Sequence, residues 1–251
     1  MVGTILNVIT VAIGSLLGIF VGDRLPKDTQ TSVITGLGLV TLVVGMQNAL
    51  SSGNIIIPLL SLSLGILIGE WINIQAKLDQ FAGWLQTKVA GRSNNGHPAD
   101  SESDHTRERF INGFVTASLV FCVGPLTFIG SLQDGMSGDY QLLAIKSVLD
   151  GFASLAFAAS LGMGVFFSII TIIVLQGGLA LIGSVAGDGM SDAMITEMTA
   201  TGGLLLMGLS LILLDIQKPR VANYLPALII APLMVAIARA LGINIYPNFG
   251  G

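Results

Sequence analysis

Apolar runs of about twenty residues, each closed by a short polar break, fill most of the sequence. A helix crossing a bilayer needs about 20 apolar residues, within a range of roughly 17–25. The first run is Gly3 to Val21, and Asp23-Arg24-Leu25-Pro26-Lys27-Asp28 breaks it, with Pro26 barring continuation. The second is Ser32 to Leu50, ended by Ser51-Ser52-Gly53-Asn54, and the third runs from Ile55 to about Ile74. The fourth is Phe110 to Leu132, interrupted at Gly124-Pro125. Only Gly162-Met163-Gly164 separates the fifth, Gln141 to Met163, from the sixth, Gly164 to Ala186. Thr199 to Ile216 and Ala222 to Leu241 close the series around the turn Gln217-Lys218-Pro219-Arg220. The pattern predicts an all-α, polytopic membrane protein with about eight transmembrane helices.

One long polar stretch, Gln75 to Glu108, interrupts the series. Leu78, Phe81, Leu85 and Val89 recur there at helical spacing, which predicts an amphipathic helix over Lys77–Val89 at the membrane surface. Gly91 to Asp104 is rich in Ser, Asn, Gly and Asp and reads as disordered. The chain accordingly divides into a first three-helix unit (1–75), a polar loop (76–108), a central helix pair (109–163) and a second three-helix unit (164–251).

Composition agrees. Only 10% of the residues are charged and 52% are hydrophobic, with 32 glycines. A soluble domain is about 25% charged, and glycine serves close helix packing in membranes. The net charge of −4 lies in loops, and nothing points to nucleic acid. The single Cys122 excludes an internal disulfide, and His97 and His105 share one loop, so no metal site or cofactor is expected. The first run lacks a basic flank and a cleavage site and reads as a retained span.

Lysine and arginine set orientation. Arg24 and Lys27 follow the first run; Lys77, Lys88, Arg92, Arg107 and Arg109 follow the third; Lys218 and Arg220 follow the seventh. The loops after the second, fourth and sixth runs carry none, so the basic loops are expected in the cytoplasm and both termini outside.

The first three runs resemble the last three. Leu17-Gly18-Ile19-Phe20-Val21-Gly22-Asp23 aligns with Ile182-Gly183-Ser184-Val185-Ala186-Gly187-Asp188, Thr35-Gly36 with Thr201-Gly202, and Ile57-Pro58-Leu59 with Leu225-Pro226-Ala227. A shift of five runs inverts the second unit, and its loop charges are reversed accordingly. Inverted three-helix repeats of this kind are characteristic of transporters.

Ionisable groups at membrane depth are expensive and therefore functional candidates. Lys146 and Asp150 lie at i and i+4 on the fifth run, where they can pair. Asp150 falls about 14 Å in from the outer end, near the midplane. An ion or solute site and an internal structural pair are both open readings. Gly124-Pro125 should bend or break the fourth helix and free backbone groups, or simply form a packing kink. Gln133, Asp134 and Asp139 crowd the following loop, where two carboxylates with glycines suit either a cation at an external mouth or a solvated turn. Gln47, Asn48, Gln176, Thr201 and Asn223 are ordinary candidates for interhelical hydrogen bonds. Glu70 and Asp215 sit near inner helix ends, and Gly14 and Gly18 form a small-xxx-small pair. No phosphate-binding loop, nucleophile elbow or HExxH motif occurs, so an ATP-driven pump and a membrane zinc protease are disfavoured; an intramembrane enzyme would have only Lys146 and Asp150 as a catalytic pair, and no enzymatic role or catalytic residue is expected.

The stretches Phe114-Val115-Thr116-Ala117-Ser118-Leu119, Phe121-Cys122-Val123-Gly124 and Gly130-Ser131-Leu132-Gln133-Asp134-Gly135 resemble a bacterial family of integral membrane proteins, domain of unknown function 554. So do Lys146-Ser147-Val148-Leu149-Asp150-Gly151-Phe152-Ala153-Ser154 and Arg220-Val221-Ala222-Asn223-Tyr224-Leu225-Pro226-Ala227. Pro125 stands where that family's pattern expects a small or apolar residue. The resemblance implies an inner-membrane protein and names no substrate. The reading reached is a secondary transporter or channel-like protein for a small polar or charged solute or ion, with the bilayer as its surroundings and a homo-oligomer left open. The alternative is a non-transporting scaffold or regulatory subunit.

Overall fold

The computed structural model describes residues 1–22, 24, 26–89, 101–122, 125–186 and 191–245. Its helices are α1 (Val2–Gly22), α2 (Lys27–Ala49), α3 (Ile56–Ile72), α4 (Ile74–Val89), α5 (Ser101–Cys122) and α6 (Pro125–Met136). Then come α7 (Gln141–Leu161), α8 (Gly164–Phe167), α9 (Ile169–Ala186), α10 (Asp192–Leu213), a short 3-10 turn at Val221–Tyr224, and α11 (Ala227–Ala240). Among the described residues there is no strand. Six helical stretches are long and apolar enough to cross a membrane, or eight if each of two bent pairs is one span. Asp23, Gly124, most of the polar segment expected to be disordered (91–100, with His97) and the Gly187-Asp188 end of the repeat motif lie outside the described residues.

The breaks follow local chemistry. Asn73 ends α3 with φ 56°, a left-handed conformation that asparagine tolerates at a helix C-terminus. The axis then turns by 53° into α4. Gly162, at φ +78°, separates α7 from α8 where the sequence puts the boundary. Between α5 and α6 the axis turns by 75°, so the fourth run is a broken helix rather than a gentle kink.

Three helices begin earlier than their apolar runs. α2 starts at Lys27 rather than Ser32, because Pro26 in extended conformation is pre-organised for a helix start and Asp28 suits the positive end of its dipole. α10 starts at Asp192 rather than Thr199, again with an acidic first turn. α5 reaches back to Ser101, so Ser101–Asp104 are helical and not part of a loop. Hydropathy marks where lipid begins, whereas helix ends are set by capping and charge.

Glycine sets the tightest contacts. A Cβ on Gly14, Gly18 or Gly22 of α1 would strike the carbonyl oxygens of Gly151, Leu155 and Ala159 on α7, one turn apart on each helix. α1 and α7 therefore run parallel with their backbones in contact. α2 and α10 meet antiparallel, with Gly45 against Gly203 and Gly38 against Leu213 and Leu214. α3 and α11 are also antiparallel, with Gly65 against Ala227 and Gly69 against Asn223. Outward faces such as Ile5, Ile9, Ile13, Leu16 and Phe20 on α1 are exposed, the surface expected of helices in lipid.

α4 lays Ala82 and Leu85, with Leu78 at the edge, against Phe110 and Phe114 of α5. This contact gathers Lys77, Lys88, Arg107 and Arg109 at the same end of the bundle as Lys218 and Arg220, here termed the basic end; Arg239, at the C-terminus of α11, is at the other.

If the α1–α7 contact depends on glycine, Gly18→Leu should lower stability by at least about 2 kcal/mol, or roughly 4–8 °C in Tm. Gly177→Ala, where an added Cβ meets nothing within 4 Å, should leave Tm unchanged or slightly raised. Thermal unfolding of the purified variants in detergent checks both.

Candidate functional site

The parallel docking of α1 on α7 decides what surrounds the charged pair. Lys146 and Asp150 are both buried on α7, and the Lys146 ammonium donates to Asp150 Oδ2. From α1, the Asn7 amide Nδ2 donates to the same oxygen at 2.9 Å. Asn7 is fully buried and was not among the residues singled out from sequence. The only signal was an amide side chain inside an apolar run, and its partner is 143 residues away. Both donors use Oδ2, so Asp150 Oδ1 accepts no hydrogen bond among the described residues.

Asp150 and Lys146 line a cavity of about 340 Å³ together with Thr41, Asn48, Leu126 and Phe157. Most of its wall is apolar, and it opens sideways between α2 and α7, where Val40 and Leu149 are exposed. A second cavity, of about 700 Å³, occupies the basic end and is lined by Thr31, Gln75, Asp79, Asn112, Asp215 and Lys218, among others. The two follow the same helices. α2 contributes Ile34 to the larger and Leu37 to the smaller; α5 contributes Leu119 and Val120; α10 contributes Leu209 and Leu206.

The broken helix meets the smaller cavity at Leu126, in the first turn of α6. Pro125 is the first residue of α6, while Gly124 lies outside the described residues. Thr127 Oγ1 donates across the break to the Phe121 carbonyl at 3.2 Å, so the break's freed backbone is partly satisfied by its own side chains.

The stretch Gln133–Asp139 does not gather its carboxylates: Gln133 and Asp134 belong to the last turn of α6 rather than to a loop, and only Asp139 lies beyond it. Asp134 is buried and accepts from the Met1 amine at 2.9 Å and the Gly3 amide at 3.0 Å, anchoring the start of α1. Asp139 is exposed and accepts from the Gln141 amide at 3.0 Å at the start of α7. The Gln133 carbonyl accepts from the Ser137 amide at 2.9 Å. Among the described residues no three histidine, cysteine, aspartate or glutamate side chains cluster as a metal site would need.

Sequence reasoning also missed Glu197, which it left in a loop. α10 begins early enough to include it, wholly buried. Its carboxylate accepts from Ser52 Oγ at 2.7 Å and from the Gly53 and Asn54 amides at 2.9 and 3.3 Å, so both oxygens are occupied. This clamps the α2–α3 turn at the end opposite the basic one. Elsewhere, Asn223 Oδ1 accepts from the Gln75 amide at 2.7 Å, and Thr201 Oγ1 bonds the Glu197 carbonyl at 2.8 Å. Arg220 pairs with Glu70 at 3.2 Å and Lys218 with Asp215 at 3.7 Å, both solvent-accessible pairs of small energetic weight.

Residues 2–236 match the family described as Protein of unknown function (DUF554), and the chain belongs to that family. It is 31% identical over 236 residues to Uncharacterized protein YqgA of Escherichia coli (strain K12), covering 94% of this chain and 97% of that protein. To Uncharacterized membrane protein YdfK of Bacillus subtilis (strain 168) it is 26% identical over 248 residues, covering 97% and 100%. No solved structure matches. The chain is thus a helical membrane protein, in agreement with its apolar helices and exposed apolar faces.

Removing one member of the pair strands the other. Asp150→Leu or Lys146→Leu alone should lose about 3–5 kcal/mol, because a buried charge remains uncompensated. The double variant should recover to within about 1–3 kcal/mol, the residue being the Asn7 amide without its acceptor. Thermal unfolding of the three variants reads this out, and a double variant no more stable than the singles would contradict the pairing.

Proposed function

We propose that this protein is a multi-pass transporter or channel-like protein of the bacterial inner membrane, moving a small polar or charged solute or ion past Lys146 and Asp150. The observation that carries the reading is the cavity lined by the pair, whose Asp150 keeps Oδ1 free of hydrogen bonds among the described residues, with the larger cavity at the basic end lined by the same three helices. The neighbouring break between α5 and α6 is the kind of irregular backbone that membranes tolerate only beside a protein-lined cavity. No role as an enzyme is proposed.

Inverted repeats belong to the same proposal. α2 with α10 and α3 with α11 are the repeat partners, and each pair packs antiparallel, as a two-fold axis in the membrane plane requires. The alignment of Thr35 with Thr201 makes Thr31 the counterpart of Glu197. Glu197 closes its end by clamping the α2–α3 turn. Thr31 lines the open cavity at the basic end, beside Lys218 and Arg220. One end closed and its counterpart open is the asymmetry that alternating access needs, here facing the cytoplasm.

The scaffold alternative draws on one observation: the smaller cavity is largely apolar and opens sideways, where another chain would fit. Uptake separates the two readings. In proteoliposomes screened against ion and metabolite panels, the wild-type chain should accumulate a solute, while the folded Lys146→Leu, Asp150→Leu double variant should be inactive. Full uptake by the double variant would remove the pair from the path.

Orientation has its own test. In a Cys122→Ser background, a cysteine replacing Ser101 should resist an impermeant thiol reagent added to intact cells and react after permeabilisation. Labelling from outside would reverse the topology.

A further inference from the structure

The smaller cavity differs from an aqueous path in where it opens. α2 begins where α1 and α7 end: Gln30 Nε2 donates to the Gly22 carbonyl at 3.0 Å, and the Gln30 carbonyl accepts from Ser160 Oγ at 3.3 Å. α2 therefore runs antiparallel to α7. Equal counts from the Gln30–Ser160 contact put Leu37 level with Ala153, Val40 with Asp150 and Val44 with Lys146, and all six line the cavity. Its sideways opening is rimmed by Val40 and Leu149, which are 62% and 57% exposed and sit near the middle of their helices. A mid-helix opening on the outer face of a membrane bundle meets hydrocarbon, not water.

The wall is divided along its length. Nearest the basic end stand Leu37, Ala153 and Phe157, all apolar; Thr41, Asp150, Lys146 and Asn48 follow further from that end. Thr41 Oγ1, the Asn48 amide and Asp150 Oδ1 have no hydrogen-bond partner among the described residues, and none of them belongs to the polar atoms closed off from solvent. Lys146 gives one of its N–H groups to Asp150 and has others to offer.

These features select the occupant. A charge at this depth is costly, and the Lys146–Asp150 pair is already balanced, so a charged head group would stay uncompensated. A plain acyl chain suits the apolar end but leaves the polar atoms without partners. Phospholipids keep their polar groups at the interface, away from this depth. A volume of about 340 Å³ is at the lower end for ligand cavities and suits one chain rather than two. We propose that the smaller cavity binds an uncharged single-chain amphiphile drawn from the bilayer. Its head group donates to Asp150 Oδ1, and its chain lies against Leu37, Ala153 and Phe157. Held beside the pair, it excludes the transported solute; that consequence rests on the function proposed above, whereas the binding rests on the cavity alone.

The test uses the full-length chain in phosphatidylcholine nanodiscs and a decanol that carries a diazirine on its chain. Irradiation should attach this reagent to residues 37–48 of α2 and 146–157 of α7, read by mass spectrometry. With the reagent below its Kd, plain decanol at about ten times its own Kd should lower the labelling about tenfold. Decane and decyltrimethylammonium at equal loading should leave it unchanged. Ala153→Phe, which fills the apolar end, should fold and lose the labelling; should it not fold, the comparison of decanol with decane decides. Competition by decane as strong as by decanol would reduce the occupant to an ordinary acyl chain and overturn the proposal. Competition by decyltrimethylammonium, or adducts spread evenly over the lipid-facing residues of α1 and α3, would overturn it too. Labelling confined to the cavity with no uptake of any solute would support the amphiphile site and overturn transport. Uptake alongside scattered labelling would overturn the site and leave transport standing. Confined labelling, with uptake that decanol inhibits no more than decane does, would overturn the exclusion of solute alone.

Discussion

The contact of α1 with α7 carries the rest of the architecture. Lipid tails are as apolar as leucine, so helices in a bilayer associate through close packing and hydrogen bonds rather than by escaping water. The Gly14, Gly18 and Gly22 stripe lets the α1 backbone rest on the α7 carbonyls. That register places Asn7 on Asp150 and Gly3 beside Leu143, and it lets Asp134 of α6 reach the start of α1. A shift of one helical turn would break these contacts together, leaving a carboxylate, an ammonium and an amide uncompensated in a medium of low dielectric constant.

The break between α5 and α6 is compatible with this frame because the neighbouring helices absorb it. α5 ends near Phe157 of α7 through Phe121, and α6 then crosses to pack on α9 with Gly135 against Ala180 and Leu132 against Gly183. α6 is short, and it acts as a strut between α1, α7 and α9. The two bends of the chain, after α3 and after α5, are thus different devices. The first turns an amphipathic helix onto the basic end; the second brings a helix start to the charged pair.

Much of this was legible in the sequence. Apolar run length located the membrane-competent helices, Pro125 located the break, glycine located the boundary at Gly162, and the i, i+4 spacing located the Lys146–Asp150 pair. Each of these is local information. What escaped was set by distant partners. Asn7 looks like an ordinary polar residue until α7 is laid beside it. Glu197 looked like part of an acidic loop, because hydropathy starts the seventh run at Thr199 while the helix starts at Asp192. The Gln133–Asp139 loop looked like one carboxylate site, yet Asp134 points back to α1 and Asp139 caps α7.

Asp150 and Glu197 show how buried carboxylates in one bundle differ in what they have left to give. Glu197 spends both oxygens on three donors from a single turn, an arrangement that holds two helices together and leaves no acceptor for a ligand. Asp150, which lines the smaller cavity, concentrates the Lys146 and Asn7 donors on Oδ2 and leaves Oδ1 without a donor among the described residues. A purely structural pair gains nothing from such an arrangement, since apolar residues of similar volume would hold α1 and α7 together as well without desolvating two charges. An unfilled acceptor beside a compensated ammonium does have a use when a polar guest must be bound weakly enough to leave again. Within the transport reading proposed above, Glu197 closes the bundle and Asp150 is the carboxylate with an acceptor left for a guest.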